Sequence, residues 1–544
     1  MRRPNIILLM ADQLTAFALE NYGNRIVKAP NIASLSENGV TFESAYCNFP
    51  ICAPSRYSLL SGRLPHAIKA FDNASEFAAD QPTLLHYLRR LDYNTALSGK
   101  MHFVGPDQLH GYGERLNTDI YPADFAWVPN WKAGPRNAPT GISMRAVVEA
   151  GPCVRSLQLD YDEETAFLAK QKIYDLARSS SNQPFFLTVS FSHPHSPYTA
   201  SQAHWDRYRH DDIDMPRTGA IPLKSLDTHS YWLYFSHGRD RIEVTHEHVR
   251  NARHAYYGMV SYVDDKVGEL MEVLRQTKLL HDAIIIFTSD HGEMLGERGM
   301  WYKQTFFESA SRVPLIISGP GIRKGHRVDR NVSLVDLMPT ILSLANDGKV
   351  DVDTPLDGSD LADLACGGTV EGSDLIVSEY SDMGVCAPCR MIREGDFKYI
   401  YVHRHESMLF DLRKDPLEHE NLSGRPESAE IESRLRTALL NDWDPEAISQ
   451  QILESQAGRE LIWAVTKDAS QRDNWSYEAR KGDKQRYVRG GGDAEGTVAV
   501  KGRARFPYVP PTPLAEPKAM PFDVAYAGEP PGGGKKMTSK SLKA

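Results

Sequence analysis

Short apolar runs alternate with helical patterns through the first two-thirds of the chain. NIILLMA from Asn5, FFLTVSFS from Phe185, AIIIFTSD from Ala283 and VPLIIS from Val313 are rich in Ile, Val and Phe. Runs of this kind predict sheet strands covered on both faces. Between them Ala252, Tyr256, Val260, Val263, Val267, Leu270 and Leu274 recur every three or four residues without an intervening proline, which predicts a long amphipathic helix. Strands alternating with helices imply an α/β sheet. Ligands of such sheets gather beyond the carboxyl ends of the strands, where Asp12, His193, His195, Asp290 and His291 stand.

The texture changes after SLVDLMPTILSLAND, a helical pattern from Ser333, and a Gly/Asp-rich link to Gly372. DLIVSEYS, CRMIREGDFKYIYVH with its Glu-Gly-Asp turn, and MLFDLRKDP predict adjacent antiparallel strands, followed by a helix from about Glu427. These patterns divide the chain into a domain over 1–372 and a smaller α+β domain on an antiparallel sheet over 373–490. Residues 491–544 are Gly- and Pro-rich (RGGGDAEG, YVPPTPLAEP), a composition that builds no core alone. This tail is read as disordered or as an arm laid on a neighbouring subunit, and with it a homo-oligomer, dimer or tetramer, is expected.

With 544 residues and 41% hydrophobic content the chain can bury a large core. Its net charge of -9 argues against a nucleic-acid surface built on general positive charge. No apolar run reaches membrane-spanning length. The opening MRRPNIILLMADQ is apolar only from Ile6 to Met10 before Asp12 interrupts it, so a secretory signal is not expected. Six cysteines are few for this length, as in a reducing compartment, and the expected location is cytoplasmic.

The chemistry centres on Cys52-Ala-Pro-Ser-Arg56, followed by YSLLSGR. The thiol stands at the start of a predicted helix, where backbone N–H groups and the helix dipole favour an anion. Cys52 is therefore either a thiolate nucleophile of lowered pKa or a cysteine converted into another group. CAPCR, Cys386 to Arg390, repeats the Cys-X-Pro-X-Arg spacing but precedes a predicted hairpin strand, so Cys52 is preferred. A lone Cys-X-X-Cys pair supplies only half the ligands of a zinc site.

Cys-X-Pro-Ser-Arg with Leu-X-Gly-Arg behind it resembles the signature of type I sulfatases of the alkaline phosphatase superfamily. The resemblance implies a large mixed, mostly parallel sheet sandwiched by helices. It also implies that Cys52, in the context of Pro54 and Arg56, is oxidised to formylglycine by a maturation enzyme. One hydroxyl of the hydrated aldehyde attacks sulfur, and deprotonation of the other expels sulfate by C–O cleavage. Asp12, Gln13, Cys52, Asp290 and His291 match the family's metal positions, for one divalent ion: calcium first, with magnesium or manganese open. In SGKMHFVGPDQLHG, Lys100 would bind a sulfate oxygen and His102 would act as base at the formylglycine hydroxyl. In SFSHPHSPY, His195 would share leaving-group protonation with Lys303 of MWYKQTFFE, with His193 the weaker candidate.

Within that family DNASEF at Asp72, SGKMHFVGPDQLHGYGERLNTDIYPADFAW and SDHGEMLGERGMWYKQTFFE resemble the choline sulfatases, over most of residues 5–443. The likeness implies hydrolysis of choline-O-sulfate to choline and sulfate, with Asn73 and Trp127 lining the head-group pocket. Residues 130–152 and 381–390 depart from the subfamily's pattern. A phosphonate monoester or phosphodiester hydrolase on the same fold is the alternative enzyme, and an anion-binding protein with unmodified Cys52 the non-catalytic one.

Overall fold

In the computed structural model, which describes residues 3–468 and Trp475, the apolar runs become the centre of the main sheet. Its strands are β1 (Asn5–Ala11), β2 (Gly39–Tyr46), β3 (Asn94–Gly99) and β4 (Glu114–Arg115). Two short strands, β5 (Gly151–Cys153) and β7 (Thr199–Ser201), pair apart from it, on either side in sequence of β6 (Phe185–Phe191). β8 (Ala283–Ser289), β9 (Arg312–Ser318) and β10 (His326–Ser333) complete the order β10-β2-β9-β8-β1-β6-β3-β4. All pairings in this sheet are parallel except those of β9, which runs against both β2 and β8. The sheet is thus mixed and mostly parallel.

Alternation along β1 explains why its run is apolar throughout. Ile7, Leu9 and Ala11 face a core shared with the helices Leu157–Arg178 and His246–Gln276. Ile6, Leu8 and Met10 face a second core shared with Cys52–Ser61, Leu84–Arg90 and Leu337–Asn346. Successive side chains of a strand point to opposite faces, so a strand sandwiched by helices has no polar side to show. The helix His246–Gln276 contains the predicted heptad-like series and is capped by Thr245, whose hydroxyl accepts from His248 N at 3.2 Å.

Beyond residue 372 the chain forms the antiparallel sheet β11 (Ile376–Tyr380), β12 (Cys389–Glu394), β13 (Phe397–Val402) and β14 (Met408–Asp411), in sequential order. The helix Ala429–Leu440 follows as expected, and a further helix, Pro445–Thr466, follows that. This sheet shares a core with Tyr46, Phe49, Phe71, Phe306 and Phe307 of the first part. No helix among the described residues is long and apolar enough to cross a membrane. The expected tail over 491–544, and most of 469–490, lie outside the described residues.

Candidate active site

β1 and β8 are neighbours, in register from Asn5↔Ala283 to Ala11↔Ser289, so Asp12 and Asp290 leave the sheet side by side. The helix Cys52–Ser61 starts against them, and every one of its residues is buried. The Cys52 thiol donates to Asp12 Oδ1 at 3.7 Å, and its Sγ lies 3.3 Å from His291 Nε2. Ala53 N, one of the helix's unpaired first-turn donors, donates to Asn73 Oδ1 at 2.9 Å. The rest of the signature bolts the helix to the strand ends. Ser55 Oγ donates to the Asp290 carbonyl at 2.5 Å, and Arg56 Nε to Asp290 Oδ2 at 2.8 Å. Arg56 Nη1 donates to Lys100 O at 2.6 Å and to Ser190 Oγ at 2.9 Å.

Asp12, Cys52, Asp290 and His291 each present a ligand atom within 4.8 Å of the others, all fully buried. His291 Nδ1 donates to Gly292 O at 3.0 Å, which leaves the Nε2 lone pair facing the carboxylates. Burial opposes ionisation of Asp290, but the Arg56 guanidinium beside it holds its carboxyl well below the usual range. Lys100 Nζ pairs with Asp12 Oδ2 and lies 4.1 Å from the Tyr121 ring centroid. Two carboxylates and an imidazole with its lone pair turned inward form a donor set that fits a hard or borderline divalent cation.

A second group borders the first. Lys303 Nζ donates to His195 Nε2 at 2.7 Å and to Gln13 Oε1. Gln13 Nε2 donates in turn to Glu293 Oε2, and Gln13 N donates to Asp290 Oδ1 at 3.1 Å. His195 Nδ1 donates to Ser196 O at 2.5 Å, and burial, with Lys303 alongside, pulls this imidazole down to about 3. The site thus holds a neutral histidine against a lysine. His193 faces away, its Nδ1 bonded to Asp162 at 2.6 Å. Asp162 also accepts from Ser192 N and His193 N, which fixes the loop bearing His195. His102 packs against Tyr121 and Trp127 at centroid distances of 5.0 and 5.5 Å, with both ring nitrogens buried and unpartnered. A cavity of about 570 Å³ opens above these groups, lined by Cys52, Asn73, Trp127, His195 and Lys303 and by part of 130–152.

A family profile described as Sulfatase matches residues 4–347, and one described as N-sulphoglucosamine sulphohydrolase, C-terminal, matches 296–443. The chain belongs to the sulfatase family. It is 42% identical over 494 residues to a choline-sulfatase of Rhizobium meliloti, covering 90% of this chain and 96% of that protein. It is 28% identical over 466 residues to an arylsulfatase of Clostridium perfringens, covering 81% and 94%. Among solved structures it resembles the phosphonate monoester hydrolase of Agrobacterium radiobacter, with TM-score 0.64, 25% identity, and 83% and 96% of the two chains covered.

The second Cys-X-Pro-X-Arg segment of this sulfatase is placed quite differently. Cys389 opens β12, and its thiol donates to Ala387 O at 3.5 Å. Arg390 pairs with Asp442 at 2.8 Å and Glu379 at 3.3 Å, tying the small sheet to the loop after its helix. No helix starts at Cys386, and no carboxylate–imidazole group surrounds it among the described residues. Sequence reasoning missed Tyr121, Glu293 and Asp382 near the site. Tyr121 lies in the segment between Lys100 and Trp127, its hydroxyl 3.3 Å from the His195 ring nitrogens. Asp382, fully buried, accepts from Asn73 N at 3.1 Å. Nothing in the local sequence around Asp382 signals that contact.

Proposed function

We propose that this sulfatase hydrolyses a small alkyl sulfate ester, choline-O-sulfate first. The observation carrying that reading is the junction of Cys52 with Asp12, Asp290 and His291 at the N-terminus of a buried helix. The 42% identity to a choline-sulfatase supports the choice of alcohol. Formylglycine made from Cys52 would supply a hydrated aldehyde as nucleophile, and Asp12, Gln13, Asp290, His291 and residue 52 would hold one divalent ion, calcium first, which would supply neutralisation of sulfuryl charge. The two unpartnered nitrogens of His102 fit a proton acceptor for a group absent from a plain cysteine side chain.

Lys100 and Lys303 aim fixed positive charge at the sulfate oxygens and the leaving alkoxide, in a site dry enough for that charge to count. Lys303 carries the proton that the leaving oxygen takes, and neutral His195 orients it. Arg56 holds Asp290 ionised and the helix in place. Trp127 and Tyr121, with ring centroids 5.0 Å apart, offer aromatic faces to a trimethylammonium group. The same reading takes 1–372 as the catalytic domain and 373–490 as the smaller one. The six unpaired cysteines support a cytoplasmic site of action. Light scattering of a chain ended at residue 490 checks the homo-oligomer.

Peptide mass spectrometry after expression with a formylglycine-generating enzyme tests the nucleophile: the Cys52 peptide loses about 18 Da and the Cys386 peptide does not. Kinetics on choline-O-sulfate, an aryl sulfate and a phenyl phosphonate test the substrate. Highest kcat/KM on choline-O-sulfate is expected; phosphonate turnover above that of every sulfate ester reverses the assignment.

A further inference from the structure

The helix Pro445–Thr466 reaches the site from the far end of the described chain. Gln456, Arg459 and Glu460 lie at i, i+3 and i+4, on one face. Gln456 Oε1 accepts from Trp131 N at 3.1 Å, and Glu460 from Asn130 Nδ2 at 3.0 Å. Between them Arg459 grips Asp72 with both ends of its guanidinium, Nη1 to Oδ1 and Nη2 to Oδ2, each at 2.6 Å. Asp72 and Asp382 are both fully buried, and among the described residues Arg459 is the one cation that hydrogen-bonds to Asp72. The next residue in the chain is Asn73. Its N–H donates to Asp382, and its Oδ1 receives Ala53 N, beside Cys52.

We propose that Arg459 is a positioning residue of the sulfatase site: by clamping Asp72 it fixes Asn73, and through Asn73 the first turn of the Cys52 helix. The physical case is the geometry of the fork. A bidentate guanidinium–carboxylate pair fixes direction as well as distance, and Asp72 is additionally pinned by Ala74 N at 3.0 Å and Ser75 Oγ at 3.2 Å. Asn73 thus has no slack, being held by its own N–H on one side and the Asp72 loop on the other. A shift of even 1 Å in a nucleophile costs up to about a hundredfold in rate. The inference rests on the reading of Cys52 as the reactive position.

Arg459→Gln alone leaves the Asp72 carboxylate buried without its cation, which is strongly destabilising. The informative protein is therefore the full chain carrying Arg459→Gln with Asp72→Asn, which removes both members of the pair. Its thermal midpoint, its formylglycine content by mass and its kcat and KM on choline-O-sulfate are compared with those of the unaltered chain. A kcat per formylglycine lower by about tenfold or more is expected, with KM little changed and amide exchange across the peptide containing Ala53 faster. Arg459→Lys keeps the charge but not the fork, and its kcat falls between the two. Wild-type kcat per formylglycine in either variant, or unchanged exchange at Ala53 in the double variant, overturns the proposal. Failure of the functional reading shows separately, as an unaltered chain that turns over no sulfate ester, and the exchange measurement decides the inference even then.

Discussion

Asp12 and Asp290 are two buried carboxylates at neighbouring strand ends, and Lys100 and Arg56 are their fixed counter-charges. That arrangement gives Cys52 a setting that Cys386 lacks. Cys52→Ala should therefore abolish sulfate ester turnover, whereas Cys386→Ala should leave kcat/KM within about twofold, since it removes only a half-buried thiol away from the site. Lys303→Met should slow esters of poorly leaving alcohols far more than aryl sulfates, because an aryl leaving group needs little protonation; comparable loss on both would assign Lys303 to binding alone. Asp382 makes a pH prediction. Burial, and then the Asp72 charge, push it up to about 8, against an unfolded carboxylate near 3.9, roughly. Between those values the native chain holds a proton that the unfolded chain has released, so this group's contribution to stability falls as pH rises. Arg459, Asp72 and the N–H groups of Asn73 and Met383 are the groups that face it. The thermal midpoint of Asp382→Asn relative to the unaltered chain should improve from about pH 5 to about pH 8. Site residues at strand ends were legible because ligands of such a sheet gather beyond the carboxyl ends of its strands, where a polar residue closing an apolar run stands out. Asp382 and Arg459 were not, because their partners are 309 and 387 residues distant.

The elements divide in the same way. Strands buried on both faces announce themselves as unbroken apolar runs, and all four predicted runs are strands. Their direction is not written in that signal: VPLIIS forms β9, the one antiparallel member of the main sheet, with the same texture as its parallel neighbours. The helix Pro445–Thr466 went unread although its start is marked. Asp444 accepts from Glu446 N at 2.9 Å and from Ala447 N at 3.3 Å, and Pro445 occupies the first turn, where its missing N–H costs nothing. Its face is only weakly amphipathic, with Leu461, Ile462 and Val465 exposed, so periodicity gave no help. Asp444→Ala should remove this cap at a cost of about 1 kcal/mol. Hydrogen exchange of the helix amides should then quicken about fivefold through local opening, while β1 exchanges as before; an unchanged helix would mean the cap is redundant.

The two sheets are joined by more than a linker. Apolar residues from before and after residue 372 form one core, in which Tyr46, Phe306 and Phe307 meet Tyr399, Met391 and Phe410. At its edge Lys398, fully buried on β13, pairs with Glu308 at 2.7 Å and with Glu418 at 2.6 Å, and donates to Phe306 O at 2.8 Å. Glu308 precedes β9 in sequence and also accepts from the Tyr46 hydroxyl at 2.9 Å. One ammonium therefore neutralises carboxylates from both parts of the chain. Replacing it with an isosteric apolar side chain leaves the two buried acids only Arg393, 3.8 Å from Glu308, as a counter-charge, a loss of up to roughly 3–5 kcal/mol for a broken buried pair. Lys398→Met should lower the thermal midpoint by several degrees, and adding Glu418→Gln should return part of that loss by removing one of the stranded charges. The two parts should also unfold together, so that fluorescence and far-UV circular dichroism follow a single transition. Two separated transitions, with only the second moved by Lys398→Met, would show that the small sheet folds on its own and that the shared core is a contact between independent domains.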